Sequence, residues 1–416
     1  VSALVEAVVP VRLGRSFRWL LASSWTSQLG DGIALAAGPL LVASQTSNPT
    51  LVASAALLQR LPWLLFALYA GVLADRLDRR RLVVVADGLR VVVLVALVTT
   101  LLTGTVSIAV VLAAMFALGT AEVFADTATS ALLPMVVAKR DLGVGNARLM
   151  GGFLVLNQLV GAPLGAALFA AGRHWPFLTQ AVCVALGVVL VSRVRLPAHG
   201  TAGEPRHIAA EVREGWRWVW HHRPVRTLAL TIFTFNVTWG CAWSVLVLYS
   251  RERLGLGEVG FGLITTVIAV GGIAGTLSYG RLERRVPLAG VMRGVLLTET
   301  LVHLVLALTS SVPVAMVAFL AFGVEAFVWG TTASSVRQRA VPTQVQGRVG
   351  SVYMVGLQGG LVIGALLAGP LAHVWGITAP FWFAFAGSAL FLALIWRELG
   401  HVAHADEETL AAEASG

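Results

Sequence analysis

Two long apolar runs, residues 51–73 and 82–102, meet at a cluster of charge. Residues 71–81 read GVLADRLDRRR, with Asp75, Arg76, Asp78, Arg79, Arg80 and Arg81 inside seven positions. Each run has about the twenty residues that a helix needs to cross the hydrocarbon core of a bilayer, and six charges cannot rest in hydrocarbon. The two runs therefore form a helical hairpin whose turn sits at a membrane surface. The other apolar blocks can be counted from that fixed point.

Blocks of this kind recur along all 416 residues, which are 57% hydrophobic and only 12% charged; a soluble protein carries about 25% charge. Apolar blocks read as spans at 17–43, 51–73, 82–102, 106–128, 146–171, 176–194, 225–250, 261–280, 288–309, 314–334, 349–372 and 380–396. The basic residues test this count. With both termini on one side, 24 of the 30 arginines and lysines gather on that side, Arg173, Arg251 and Arg253 face the other, and Arg60, Arg90 and Arg293 lie within or near the span ends. Such asymmetry marks the cytoplasmic face and needs an even number of spans. It also accounts for the formal net charge of +9 without nucleic acid, since arginines hold a face against anionic lipid. Cys183 and Cys241 fall inside apolar blocks and read as packing residues. No cleavable signal peptide is expected, because the first apolar block runs on too long.

The halves echo each other. Gly119, Glu122 and Phe124 in the fourth span match Phe322, Glu325 and Phe327 in the tenth, and Gly161-Ala162 matches Gly364-Ala365 at the same offset. Gly280–Arg285 is a weaker copy of the charged hairpin. Several matches at a common offset indicate two repeats. The expected fold is an all-α polytopic membrane protein with twelve transmembrane helices in two pseudo-symmetric six-helix bundles. Residues 1–196 and 225–397 are the bundles, 197–224 a linker and 398–416 a flexible tail. Within the linker, Ala209, Val212, Trp216, Val219 and Trp220 recur on one helical face and Arg213, Glu214, Arg217 and His221 on the other. That pattern suits a helix lying in the membrane interface, or else a solvated linker.

Gly71, Asp75, Arg76, Arg79 and Arg80 resemble the loop between the second and third helices of major facilitator superfamily transporters, G-x-x-x-D-R-x-G-R-R/K, with Asp78 in place of the usual glycine. That departure is similar to the branch holding macrolide-type drug exporters and the enterobactin exporter. The resemblance implies that this loop clamps neighbouring helices and gates the inward-to-outward switch. Asp87 and Arg90 are similar to an acidic-then-arginine pattern of the same branch and are expected to extend the hairpin's charge network. Gly161, Pro163 and Gly165 partly match the antiporter signature of drug-exporting relatives. There the resemblance implies a helix bend associated with export; small residues also serve close packing alone, as the run Gly356, Gly360, Gly364 suggests.

Acidic residues inside spans are costly and therefore informative. Asp31, Glu122, Asp126 and Glu325 are the proton-coupling candidates. Asp31 lies mid-span in Gln28-Leu29-Gly30-Asp31-Gly32, and a structural acid is the alternative. Glu122 and Asp126 stand one helical turn apart, so they share a face. Arg60 either snorkels outward or pairs with Asp31. Glu299 and His303, also one turn apart, can share a proton. Trp25, Arg60, Asn157, Gln158, Asn236 and Trp239 are candidates for a substrate path, the tryptophans also serving as interfacial anchors.

The leading expectation is a proton-coupled secondary exporter of small amphiphilic molecules, in the class of multidrug transporters. It would be a monomer in a bacterial inner membrane, with lipid and protons as partners, no nucleic acid, no cofactor and no metal. There is no Walker A pattern, which argues against direct ATP hydrolysis, and no enzyme chemistry is expected. Proton-driven uptake would use the same fold and acids. A membrane scaffold or receptor is the third reading, and the mid-span acids argue against it.

Overall fold

A computed structural model describes residues 13–196, 208–342 and 345–403, without the side chains at 75, 139, 208–212, 338, 347, 402 and 403. Arg12, the linker at 197–207, the tail from 404, the Asp75 side chain and the Ala209 and Val212 side chains, all named above, lie outside the described residues.

All regular structure among the described residues is helical. The first six helices are α1 Gly14–Ala43, α2 Pro49–Arg76, α3 Arg79–Leu102, α4 Ile108–Val136, α5 Leu142–Ala171 and α6 Trp175–Ser192. A shorter α7, Ile208–His221, follows. The rest are α8 Arg223–Ser244, α9 Leu246–Glu252, α10 Glu258–Arg285, α11 Leu288–Leu308, α12 Val312–Ala340, α13 Gln346–Trp375, α14 Ala379–Ile395 and α15 Glu398–Ala403.

Nine of these are long and apolar enough to cross a membrane, and α8 with α9 makes a tenth span, bent by 46° at Val245. Two helices complete the twelve crossings. α1 has 30 residues but carries Arg15, Arg18 and Asp31; α14 is apolar throughout but has only 17. The seventh span is thus broken, although its sequence reads as one run.

Burial confirms which solvent the helices face. On α3, Val85 and Val92 are 68% and 65% exposed, whereas Arg90 is 1% exposed. Apolar side chains point out and charges point in. In water this would forfeit about 1.5–3 kcal/mol for each large side chain left uncovered; against lipid tails it costs nothing.

The described residues fall into two compact units. One lies within Val1–Ser47, Leu58–Glu204 and Leu256–Thr266, the other within Asn48–Leu57, Pro205–Gly255 and Val267–Gly416. Helices α2 and α10 each contribute their first turns to one unit and the rest to the other. Inside the first unit α1 packs on α5 and α6, and α3 packs on α4 and α6. Inside the second, α8 packs on α13 and α14, and α11 packs on α12 and α14. Counted from the start of each repeat, these are the same four pairings.

Glycine makes the tightest of these pairings possible. A Cβ on Gly161 of α5 would stand 2.7 Å from Cα of Gly32 on α1, and one on Gly364 of α13 would stand 2.6 Å from the Cys241 nitrogen on α8. No side chain fits at either place. Close approach of backbones substitutes for the hydrophobic effect, which is absent between helices in lipid. Around Pro163, which lacks an N–H, α5 stays one element and widens into a π-helical stretch at Phe153–Gly161.

α7 is a helix, as its periodicity predicts, but its tryptophans do not share one buried face. Val219 is buried and Gly215 backs onto Arg348 of α13, while Trp216 is 54% exposed and stacks on Trp220, ring centroids 5.7 Å apart. Glu214 ties the helix to Arg348 at 2.5 Å.

Overpacking a close crossing costs about 1–3 kcal/mol. Gly161→Val and Gly364→Val are each expected to lower the thermal midpoint of the purified protein by several degrees. Gly88→Ala, where an added Cβ meets no atom within 4 Å, is expected to leave it unchanged or raise it.

Candidate functional site

The charged hairpin closes one end of the first unit. Asp78 ends the turn as the N-cap of α3, accepting from the Arg81 N–H at 3.0 Å. An aspartate does this as a glycine cannot, which gives the departure from the family pattern a local reason. Arg79 Nε donates to the Ala74 carbonyl at 2.8 Å and its Nη1 to the Ala131 carbonyl of α4 at 3.0 Å. Arg80 donates to the Val194 carbonyl, just past α6, at 3.1 Å. Two arginines thus staple the turn to the ends of two other helices. Arg76 is exposed, and a Cβ on Gly71 would meet open space.

Deeper in the same unit lies a buried charge cluster. Arg90 Nη1 donates to Asp87 Oδ1 at 3.0 Å, one turn back on α3, and its Nη2 donates to Asp31 Oδ1 on α1. Asp87 and Arg90 therefore turn inward to α1 rather than extending the hairpin network. Arg90 Nε is buried and has no partner. Glu122 and Asp126, on one face of α4, lie within electrostatic reach of Arg90. Arg60 of α2 acts on Glu122 and not on Asp31, whose ion pair is with Arg90. Four acids thus share two guanidinium groups, two more than there are permanent cations to pair with them.

The local sequence fixes Asp31 in this position. Its neighbours Gly30 and Gly32 are both close crossings. A Cβ on Gly30 would stand 3.1 Å from Cβ of Cys183 on α6, and one on Gly32 would run into the Asn157 backbone on α5. With α5 and α6 pressed against α1 on either side, Asp31 is left facing α3 and Arg90.

A cleft of about 450 Å³ in this unit is lined by α1, α4 and α5, including Gln28, Asp126, Thr129, Asn146, Met150 and Phe153. Asn157 donates to Gln28 Oε1 at 3.1 Å and accepts from Gln158 at 2.7 Å, so a polar chain runs from α5 to the cleft wall. Gln28 and Asn146 bear on the cleft yet stand outside the sequence-derived candidates; their signal was a polar side chain on a helical face shared with Asp31 or Phe153. Trp25 donates its indole N–H to the Arg148 carbonyl at 3.0 Å and packs on Gly152, which makes it a helix tie. Gly165 meets Ile33 of α1, and Pro163 lies against Gly262.

In the second unit Glu325 is buried on α12, with Glu299 of α11 acting on it. Asn236 donates back to the Ile232 carbonyl of its own helix at 2.7 Å, and Trp239 stacks on Phe322 with centroids 3.7 Å apart. Among the described residues no three His, Cys, Asp or Glu side chains come together closely enough to hold a metal ion.

Known proteins share this chain's length and fold. A family model described as transmembrane secretion effector matches residues 6–415. Over 379 residues the chain is 30% identical to the multidrug efflux pump Tap of Mycobacterium tuberculosis (strain ATCC 25618 / H37Rv), spanning 87% of this chain and 88% of the relative. Over 357 residues it is 27% identical to the putative bacilysin exporter BacE of Bacillus amyloliquefaciens, spanning 84% and 87%. Its fold is similar to that of a bacterial homologue of the iron transporter ferroportin in an inward-facing state, with TM-score 0.74 at 18% identity over 92% of this chain and 98% of that one. A multi-pass helical chain with repeated six-helix packing, matched over nearly its whole length, belongs to the transmembrane secretion effector family of major facilitator superfamily transporters.

Proposed function

We propose that the protein is a proton-coupled exporter of small amphiphilic molecules, cationic ones favoured, acting by alternating exposure of the N-terminal charge cluster to the two membrane faces. The observation that carries this is Arg90, held between Asp31 and Asp87 with Glu122 and Asp126 close by. An excess of carboxylates in a dry site is unstable unless a cation joins it. A proton and a positively charged substrate are two such cations, and they compete for the same negative charge. A proton taken up at Asp31 loosens one of the two ion pairs of Arg90. Its unpartnered Nε then has the α4 carboxylates to turn to, and substrate there is displaced. Loss of the proton on the other side restores the pair. The cleft beside Asp126 has a volume in the range of small-molecule sites.

Export, rather than uptake, is supported by the names of Tap and BacE. In this reading the hairpin Gly71–Arg81, with Asp75 and Arg76, is the gate. Gln158 and Asn157 orient substrate at the cleft wall. The arginine-rich loops and both termini face the cytoplasm of a bacterial inner membrane, and the protein works as a monomer. Trp216 and Trp220 rest in the lipid interface.

Asp31→Asn is expected to fold and to abolish efflux of a fluorescent lipophilic cation such as ethidium. The measurement is ethidium accumulation in inverted vesicles energised with an inside-acid proton gradient. Wild-type accumulation in that variant would remove Asp31 from coupling, and accumulation only with the gradient reversed would make the protein an importer.

Arg90→Leu leaves two carboxylates buried without a partner and is expected to destabilise the protein by about 3–5 kcal/mol. Adding Asp31→Asn and Asp87→Asn to it is expected to restore the thermal midpoint but not the transport. A midpoint that the single change leaves in place would show that Arg90 does not hold the acids.

A further inference from the structure

The second unit contains a cluster of buried ionisable groups with no counter-charge. Glu299 and His303 stand one turn apart on α11, and Glu325 lies on α12, which packs against it. All three are in the middle part of their helices. Neither carboxyl oxygen of Glu325 and neither ring nitrogen of His303 has a hydrogen-bond partner, and all four atoms are sealed from solvent. Glu299 retains a little accessible surface, 7% of the residue.

Among the described residues no cation reaches the cluster from the helices around it. α8 offers Trp239, 6.4 Å from the His303 ring, and the Cys241 thiol. α14 has no ionisable side chain, and α10 carries its charged residues only in its first and last turns. Arg293, near the start of α11, donates to the Trp396 carbonyl at 3.0 Å and lies over that ring. Short α15 approaches α11 at that same end, where a Cβ on Gly400 would stand 3.6 Å from Arg293 Nη2. Arg337, near the end of α12, lies over the Tyr353 ring.

The repeat shows what has changed. Arg90 stands nineteen residues after the hairpin glycine Gly71, and Glu299 stands nineteen after Gly280, the glycine of the weaker copy. Glu122 and Glu325 correspond on the next helix. Where the first unit sets an arginine beside a glutamate, the second sets a glutamate beside a glutamate. Two carboxylates without a cation cannot both be ionised in a dry site. The ligand that corrects this must fit where Glu325 and His303 have no open surface, and the three groups do not converge as metal ligands do.

We propose that Glu299, Glu325 and His303 form a second proton-binding site, in the C-terminal unit. One proton is shared between the two carboxyls, and it enters and leaves through Glu299. His303, one turn from Glu299 on α11 and 6.4 Å from the Trp239 ring, sets how readily that proton is released. This extends proton coupling beyond the N-terminal cluster, and it is tested without substrate.

The experiment is a pH titration of the full chain in lipid nanodiscs, followed by infrared difference spectroscopy of the carboxylic C=O stretch. The wild type is expected to show a band of a protonated buried carboxyl. The band loses intensity as pH rises, is lost in Glu325→Gln and Glu299→Gln, and shifts its midpoint in His303→Gln. It persists in Asp31→Asn, so failure of the N-terminal reading leaves it in place. Glutamine has the shape of a protonated carboxyl and carries no charge, so both variants are expected to keep the wild-type thermal midpoint. A band unchanged in both, or one present at every pH, would overturn the site. So would an unfolded Glu325→Gln beside a Glu299→Gln whose band is intact.

Discussion

A guanidinium in the middle of a membrane helix must find anions, because the alternative costs several kilocalories per mole. Arg90 finds Asp87 on its own helix and Asp31 on another. That requirement fixes α1 and α3 at a common depth, and the glycines flanking Asp31 complete the constraint. Gly30 admits α6 and Gly32 admits α5, so α1 is gripped on two sides at the level of its carboxylate. The charge gives the helices their register and the glycines give the charge its direction. The acids of α4 then join a site that already sets two carboxylates against one guanidinium.

An unbalanced site can do what a satisfied one cannot. With equal numbers of carboxylates and guanidinium groups the cluster would be a structural tie, like Arg348 with Glu214 on α7. With two more acids than guanidinium groups, it has carboxyls that no permanent cation answers. The polar chain from Gln158 through Asn157 to Gln28 brings hydrogen-bonding groups to the same cleft, and apolar Met150 and Phe153 line it as well.

The crossings and the repeats were legible because both are written in composition. Apolar length marks most spans, and the arginines fix an even count even where hydropathy weakens. That is how α1, with its charges, and α14, with its 17 residues, are placed. What sequence adjacency misplaced was depth. Asp87 and Arg90 look like neighbours of the hairpin, yet Arg90 is about 16 Å along α3 from Arg79 at 1.5 Å per residue, well inside the bilayer. The helix rise alone separates it from the turn. Asn236 and Trp25 read as path residues because they are polar or aromatic in a span; their bonds to the Ile232 and Arg148 carbonyls depend on backbone positions that no local pattern records. The break at Val245 has no proline or glycine to announce it, and the exposure of Trp216 follows from Gly215 and Val219 being the face that α13 takes.

The two repeats keep the same helix pairings and the same glycine crossings while their charges have diverged. Packing in lipid depends on small residues at a few fixed positions, and those positions tolerate little. The ionisable positions beside them are under a different constraint: each needs a partner, but the partner can be a side chain, a proton or a passing cation. Arg90 answers Glu122 with a permanent positive charge in the first unit. Glu299 brings no such charge to Glu325, so the balance there must come from outside the chain. A change of side-chain charge on the third helix of the repeat therefore separates acids that stand beside a permanent cation from acids that do not.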